Sequence, residues 1–457
     1  MHRRQKLPRR TFSRRRFLGG IAAGAFAAPF ILPSGLRAAS PNSKLCHACI
    51  GVTRMGGNDL KNFQQHERVQ IVALCDVDAQ HLATAAKLVP DARRYADWRE
   101  LYDKEGDKID SVNVTVPDHM HFPIAYTAVR RGKHLYCQKP MCHDLAEVRT
   151  LTEAAVKSGI VTQLGTQFAS SIGDRMTQQL ISSGAIGKIK HVYLCSNREA
   201  PNRVRGPRPA TSEQPPPHLN WDLWIGTAPM RPYAPDTYHP AKWRGWLDFG
   251  TSWCADMGCH ILNATWRGLG LRAPTTVVAE VEESWKNSPP RRADNWPQSE
   301  HVTWTFPGND LIDGPELTVE WFDGAMLPPQ EARDLNPTAN YPLEAALLVG
   351  TEGAILHQHT AGPQLLPKAK YAAYERPKPA PRDHYRHFVD ACLGGEKTEA
   401  NFAQTGPMTE TILLGTVAIR CFGQKLTWDA AAMKFPNCPE AERYLRRQYR
   451  DGWQVVQ

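Results

Sequence analysis

Residues 110–140 read DSVNVTVPDHMHFPIAYTAVRRGKHLYCQKP, and they hold a strand, a helix and a second strand in close succession. Val112, Val114 and Val116 alternate as β-branched residues do in a strand. Pro117 ends the run because it has no N–H to give the ladder. Apolar and alanine residues then recur at helical spacing over 122–130, and Gly132 stands where a helix C-cap glycine belongs. Residues 134–137 form another short strand, delivering Lys139 at its carboxyl end beside the rigid Pro140. Strand, helix and strand in this order build a parallel sheet, whose strand carboxyl ends are where ligands bind. A lysine held there is a candidate proton-transfer group.

Upstream, residues 45–52 read as an apolar strand that runs into Gly51-Val52-Thr53-Arg54-Met55-Gly56, a variant of the dinucleotide fingerprint placed after a strand and before a helix. Gly51 makes the tight turn and Gly56 lets helix pack on strand. Thr53 replaces the glycine that gives the closest approach to a pyrophosphate. Residues 69–75 form a second strand, which ends at Asp76, 25 residues after Gly51. A carboxylate there accepts hydrogen bonds from ribose hydroxyls and repels a 2′-phosphate, favouring NAD over NADP.

Pro117-Asp118-His119-x-His121, Gly132-Lys133-His134 and Gln138-Lys139-Pro140 together resemble the glucose–fructose oxidoreductase/inositol dehydrogenase (Gfo/Idh/MocA) family, over roughly residues 45–430. The resemblance implies an α/β Rossmann domain, a doubly wound parallel sheet, at 44–166. It implies an α+β domain with an open, largely antiparallel sheet at 167–430, a helix at 405–420 packing back on the Rossmann domain, and a tail at 431–457. It places Lys139 at the nicotinamide and substrate, and Val116, Pro117, His119, His121, Gln138 and Gln167 beside the cofactor with the Gly51–Gly56 turn and Asp76. Where the family usually has Glu-Lys-Pro this chain has Gln138, so Lys139 lacks a neighbouring negative charge that would favour its ammonium form.

In the stretch 253–260, Asp256 and His260 are four residues apart and share one helix face. A carboxylate beside an imidazole fixes its tautomer and raises its basicity, which suits a base that withdraws a hydroxyl proton. The family resemblance implies that Lys139, Asp256 and His260 form the catalytic set. Thirteen tryptophans are present, several of them within 221–266, and Tyr238, His239, Trp243 and Arg244 offer aromatic faces and polar groups to a sugar. The Cys46/Cys49 and His384/His387 pairs find no further ligands at useful spacing, so no metal set is assembled.

Of 55 Lys and Arg, nine lie in residues 1–39, which contain no Asp or Glu; the remainder balances the 46 acidic residues, which argues against a nucleic-acid partner. Ser13-Arg14-Arg15-Arg16-Phe17-Leu18 followed by an apolar stretch looks like a twin-arginine export signal, addressing a folded protein to the periplasm or beyond, or leaving it anchored if uncleaved. Outside the cytoplasm NAD has to be carried bound and recycled. The expected activity is oxidation of a hydroxyl on a sugar, glycoside or polyol. Its alternatives are redox-neutral glycoside cleavage through a transient ketone and a non-catalytic carbohydrate-binding relic. Family members commonly form homo-oligomers through the exposed face of the second sheet.

Overall fold

The computed structural model describes residues 44–198, 204, 206–210, 213–336 and 340–455. The expected export signal and part of the proline-rich loop at 201–219 lie outside the described residues.

Fourteen strands build two sheets among the described residues. The first comprises β1 (Leu45–Ile50), β2 (Val69–Cys75), β3 (Arg93–Tyr95), β4 (Ser111–Val114), β5 (His134–Cys137) and β6 (Thr162–Leu164), ordered β3-β2-β1-β4-β5-β6 and parallel throughout. The helices that place the site are α1 (Met55–Gln64), α2 (Ala79–Ala86), α3 (His121–Arg130) and α4 (Leu145–Ser158). The order reverses beside β1, and in such sheets the crevice at that switch point takes the ligand. β1 and β4 are buried along almost their whole length, as strands covered on both faces must be. Asp144 caps α4 as its position suggests, accepting from the Glu147 N–H at 2.9 Å.

The second sheet comprises β7 (Ile189–Ser196), β8 (Thr276–Val281), β9 (Glu300–Pro307), β10 (Glu316–Asp323), β11 (Glu344–Gly350), β12 (Ala354–Gln358), β13 (Gln364–Leu366) and β14 (Leu426–Thr427). Its order is β13-β12-β11-β7-β10-β9-β8-β14, antiparallel except for β7 against β10. The expected largely antiparallel sheet is therefore present. β11, one of its inner strands, has the sequence Glu-Ala-Ala-Leu-Leu-Val-Gly, which carries no alternation because its middle is buried on both faces.

Two helices complete the core, α5 (Ser252–Ile261) and α6 (Phe402–Arg420). Both are buried almost all round. On one side α6 meets β9, where Gly415 approaches Trp304 and Val302. On the other it meets α4, where Arg149 donates both Nε and an Nη to Glu410 at 2.7 Å. Residues 439–455 are packed rather than trailing. Arg447 is half-buried against Asp144 and Glu147, and Trp453 lies under Arg99 at 4.4 Å. Among the described residues, no helix is long and apolar enough to cross a membrane.

Candidate active site

The turn after β1 is shaped by close contact. Gly51 has φ +80°, and a Cβ there would lie 2.1 Å from the Thr115 carbonyl oxygen. A Cβ on Gly56 would lie 2.1 Å from the carbonyl oxygen of Gly51, so α1 sits directly on the turn. No side chain caps α1, which leaves the positive end of its dipole facing the cleft that Gly51, Thr53, Arg54, Met55 and Gly56 line. At the end of β2, the Asp76 carboxylate accepts from the Val52 N–H and the Asp78 N–H, both at 3.0 Å. Burial pushes this carboxyl up, against those two bonds. A cradle that Cβ atoms would fill, an uncapped helix start and a carboxylate lining the cleft at the end of β2 fit a dinucleotide.

From this turn a cleft of about 660 Å³ runs to the carboxyl end of β5. There Lys139 Nζ donates to the Asp256 backbone oxygen at 2.8 Å and to Asp256 Oδ1 at 2.9 Å. Arg244 Nε donates to the same Oδ1 at 3.2 Å. Burial alone would raise the Asp256 carboxyl, but Lys139 and Arg244 outweigh it and hold it well below the carboxylate range. His260 lines the same end, and its buried Nδ1 has no hydrogen-bond partner. Burial, then the neighbouring Lys139 charge, push its pKa well below the usual histidine value, with Asp256 only partly opposing. The imidazole is therefore neutral. The shared helix face does not produce the expected Asp256–His260 pair, because Asp256 is engaged by two cations from other segments.

Gln138 lines the cleft, but its amide turns away from Lys139 to Asp59 Oδ1 and Oδ2, at 3.2 and 3.1 Å. Asp59 also accepts from Thr115 Oγ1 and Tyr385 Oη, each at 2.7 Å, and burial lifts it to about 6. The negative partner of Lys139 is supplied by Asp256 instead. Val116, Pro117 and Gln167 line the cleft as expected.

Three expected site residues do not line the cleft. His119 is buried between Trp224 and Phe249 and contacts the Trp224 carbonyl at 3.1 Å. His121 is held between the Pro140 carbonyl at 2.7 Å and the Val116 carbonyl at 2.9 Å. It braces the two turns that present Val116 and Lys139, and so acts behind the site. Tyr238 is buried with Trp221, Trp224, Trp246 and Phe249. The aromatic density of this stretch is thus a satellite core, and only its edge, including Trp224, faces the cleft. Trp243, Arg244 and His239 do line it, with the Arg244 guanidinium 4.2 Å over the Trp243 ring and His239 Nε2 3.1 Å from Asp78.

Sequence reasoning missed several cleft residues. Asp118 is buried and accepts from Thr251 Oγ1 at 2.8 Å; burial, opposed chiefly by Arg244, pushes its carboxyl up to about 7. Its place between Pro117 and His119 was the available signal. Arg198, paired with Glu344 at 2.9 Å, and His359 also line the cleft. They come from separate strands and loops with no local pattern to mark them.

Residues 46–166 match the family model of the Gfo/Idh/MocA oxidoreductase family, NAD-binding Rossmann fold, and residues 170–296 match the model of that family's C-terminal alpha/beta domain. Levoglucosan dehydrogenase of Pseudarthrobacter phenanthrenivorans is 27% identical over 116 residues, covering 25% of this chain and 29% of the relative. Inositol 2-dehydrogenase of Salmonella typhimurium is 26% identical over 142 residues, covering 30% of this chain and 42% of the relative. The matching stretches thus span less than half of these relatives. The crystal structure of the WlbA dehydrogenase from Bordetella pertussis, in complex with NADH and UDP-GlcNAcA, superposes with a TM-score of 0.59 at 15% identity, over 84% of this chain and 99% of that one, a likeness of fold.

Proposed function

Because the chain belongs to the Gfo/Idh/MocA oxidoreductase family, we propose that it is an exported enzyme that oxidises a hydroxyl group of a sugar, glycoside or related polyol with a tightly held, recycling NAD. The observation that carries this reading is one cleft with a dinucleotide turn at one end and Lys139, Asp256, Arg244 and a neutral His260 at the other. The curated relatives named for levoglucosan and inositol support the substrate class.

When bound, NAD supplies the acceptor for the hydride that leaves the carbinol carbon. The residues of this chain handle the proton and the charge. His260, kept neutral by burial, accepts the hydroxyl proton. Lys139 has three N–H donors and spends two on Asp256, so one remains for the substrate oxygen. Asp256 holds that ammonium in place, and Arg244 shares the carboxylate while its guanidinium covers Trp243. Asp76 favours NAD over NADP, since a 2′-phosphate would meet its carboxylate. Ser13–Leu18 supports export of a folded, loaded protein by the twin-arginine machinery, to the periplasm or beyond it. A homo-oligomer paired through the open face of the second sheet completes the reading, and light scattering checks it.

The test is to purify the folded protein from the periplasm and identify the nucleotide released on denaturation. Stoichiometric NAD or NADH is expected. The loaded protein is then screened with glycosides and polyols, where ketone formation marks net oxidation and bond cleavage marks the redox-neutral cycle. An empty protein that also fails to bind added NAD would sink the reading and leave a sugar-binding relic.

A further inference from the structure

The turn after β2 carries a second cluster of polar groups. Asp78 is buried and caps α2, its Oδ1 accepting from the N–H groups of Gln80 and His81 at 2.9 and 3.3 Å. The same oxygen lies 3.1 Å from His218 Nδ1. The other oxygen, Oδ2, lies 3.1 Å from His239 Nε2 and 3.7 Å from His81 Nδ1. His81 Nδ1 also stands 4.0 Å from Asp76 Oδ1, and it is buried without a hydrogen-bond partner. The His81 and His239 rings are tilted 43° to each other with centroids 5.3 Å apart.

We propose that Asp78 Oδ2, His81 Nδ1 and His239 Nε2 bind a first-row divalent transition-metal ion, which staples residues 213–250 onto the turn after β2. The three atoms already lie within 4.8 Å of one another. Around a tetrahedral ion with bonds of about 2.0–2.1 Å, ligand atoms stand roughly 3.3–3.5 Å apart. The 3.1 and 3.7 Å separations from Asp78 Oδ2 bracket that spacing, and the third edge, between the two imidazole nitrogens, is no longer than 4.8 Å. Two imidazoles and one carboxylate suit Zn²⁺ or its neighbours better than Mg²⁺ or Ca²⁺, which prefer all-oxygen shells. Hydrogen bonding by itself leaves a nitrogen over. His239 and His218 can each donate to Asp78, but His81 Nδ1 finds no partner, whereas a cation satisfies it.

The outer shell is also in place. His218 and the two backbone N–H groups hold Oδ1, which fixes the carboxylate so that Oδ2 points at the ion. Two backbone bonds align the segments the ion would join, from Ala79 N–H to the His218 carbonyl at 2.8 Å and from Asn220 N–H to the Val77 carbonyl at 2.9 Å. The ion would stand at the edge of the cleft, since His239 and Asp76 both line it. Its ligands lie 161 residues apart in the chain, so the closure it provides restrains a long loop.

The test uses tag-free full-length protein, stripped with chelator and titrated with Zn²⁺, with bound metal measured by mass spectrometry. Wild type is expected to bind one equivalent and to melt at a higher temperature with metal than without. Co²⁺ in place of Zn²⁺ should give visible tetrahedral bands. His81→Ala, whose side chain does not line the cleft, should lose affinity by more than the roughly 10–100-fold typical of an outer-shell loss, and His218→Ala should fall within that range. His81→Gln serves if the alanine variant does not fold, and the His81 variants should match stripped wild type in their metal-free melting temperature. Absence of stoichiometric Zn²⁺ in wild type, or equal binding by the His81 variants, would overturn the proposal and leave a hydrogen-bonded cluster.

Discussion

Lys139 is useful because of where Asp256 stands. A lysine at the end of a strand has four flexible bonds, and here two hydrogen bonds to one residue of α5 fix its ammonium in the cleft. Lys139→Ala is expected to lower kcat by about 10²–10⁴-fold, the range for a lost proton-transfer group, with a smaller loss of NAD affinity. Steady-state kinetics and calorimetry separate the two effects. Asp118 offers a pH signature of another kind. Its folded-state value of about 7 stands above its ordinary 3.8, so between those values the folded chain keeps a proton that the unfolded chain gives up. Its contribution to stability is therefore fully present at low pH and is lost as pH rises towards 7. For one proton the slope is at most about 1.4 kcal/mol per pH unit. Asp118→Asn should flatten the pH dependence of the unfolding free energy, read from urea titrations between pH 4 and 7, by up to that slope; an unchanged slope would mean the carboxyl is ionised.

Among the elements, the seat of α1 on the turn after β1 matters most. The Gly56 position has no room for a methyl group, since the obstructing atom is the backbone oxygen of Gly51 and no side chain can move aside. Gly56→Ala must push α1 outward, which should destabilise the fold by about 1–3 kcal/mol. It should also strip the protein of nucleotide. Urea denaturation reads the first effect, and the nucleotide content of the purified protein reads the second. The network of Asp59, Gln138, Thr115 and Tyr385 lies between α1 and the strands behind it. Gln138 suits this place because its amide donates to a buried carboxylate, where a glutamate would set like charges together.

At the scale of the whole molecule, the C-terminal segment locks the first sheet's layer to the aromatic satellite core. Arg447 donates to Glu147 at 2.9 and 2.8 Å and to the His119 carbonyl, while Arg450 N–H reaches the Thr227 carbonyl at 3.0 Å. Asp144 and Glu147 are both buried, and burial followed by the Glu147 charge lifts Asp144 to about 7 despite Arg447. Arg447→Ala would leave two buried carboxylates without their cation, at a cost of about 3–5 kcal/mol. A urea midpoint close to that of wild type would show that water replaces the guanidinium there.

The sequence by itself determined the parallel sheet, the dinucleotide turn, and Lys139 with Asp76 at strand ends. Each rests on local spacing that the backbone turns directly into geometry: alternation in a strand, glycine at a forced turn, a residue just past the last ladder bond. Only the tertiary structure decided which partners the functional groups take. Asp256 and His260 share a helix face, yet Asp256 pairs with Lys139, 117 residues away, because a buried carboxylate goes to the nearest cation. His119, His121 and Tyr238 look like site residues by type, and packing places them behind the cleft walls. β11 hid for a related reason, since a strand buried on both faces has no polar side from which its period can be read. Chemistry that depends on one residue's neighbours along the chain is written in order; chemistry that depends on burial and on charges from distant segments exists only once the two sheets and α6 have closed together.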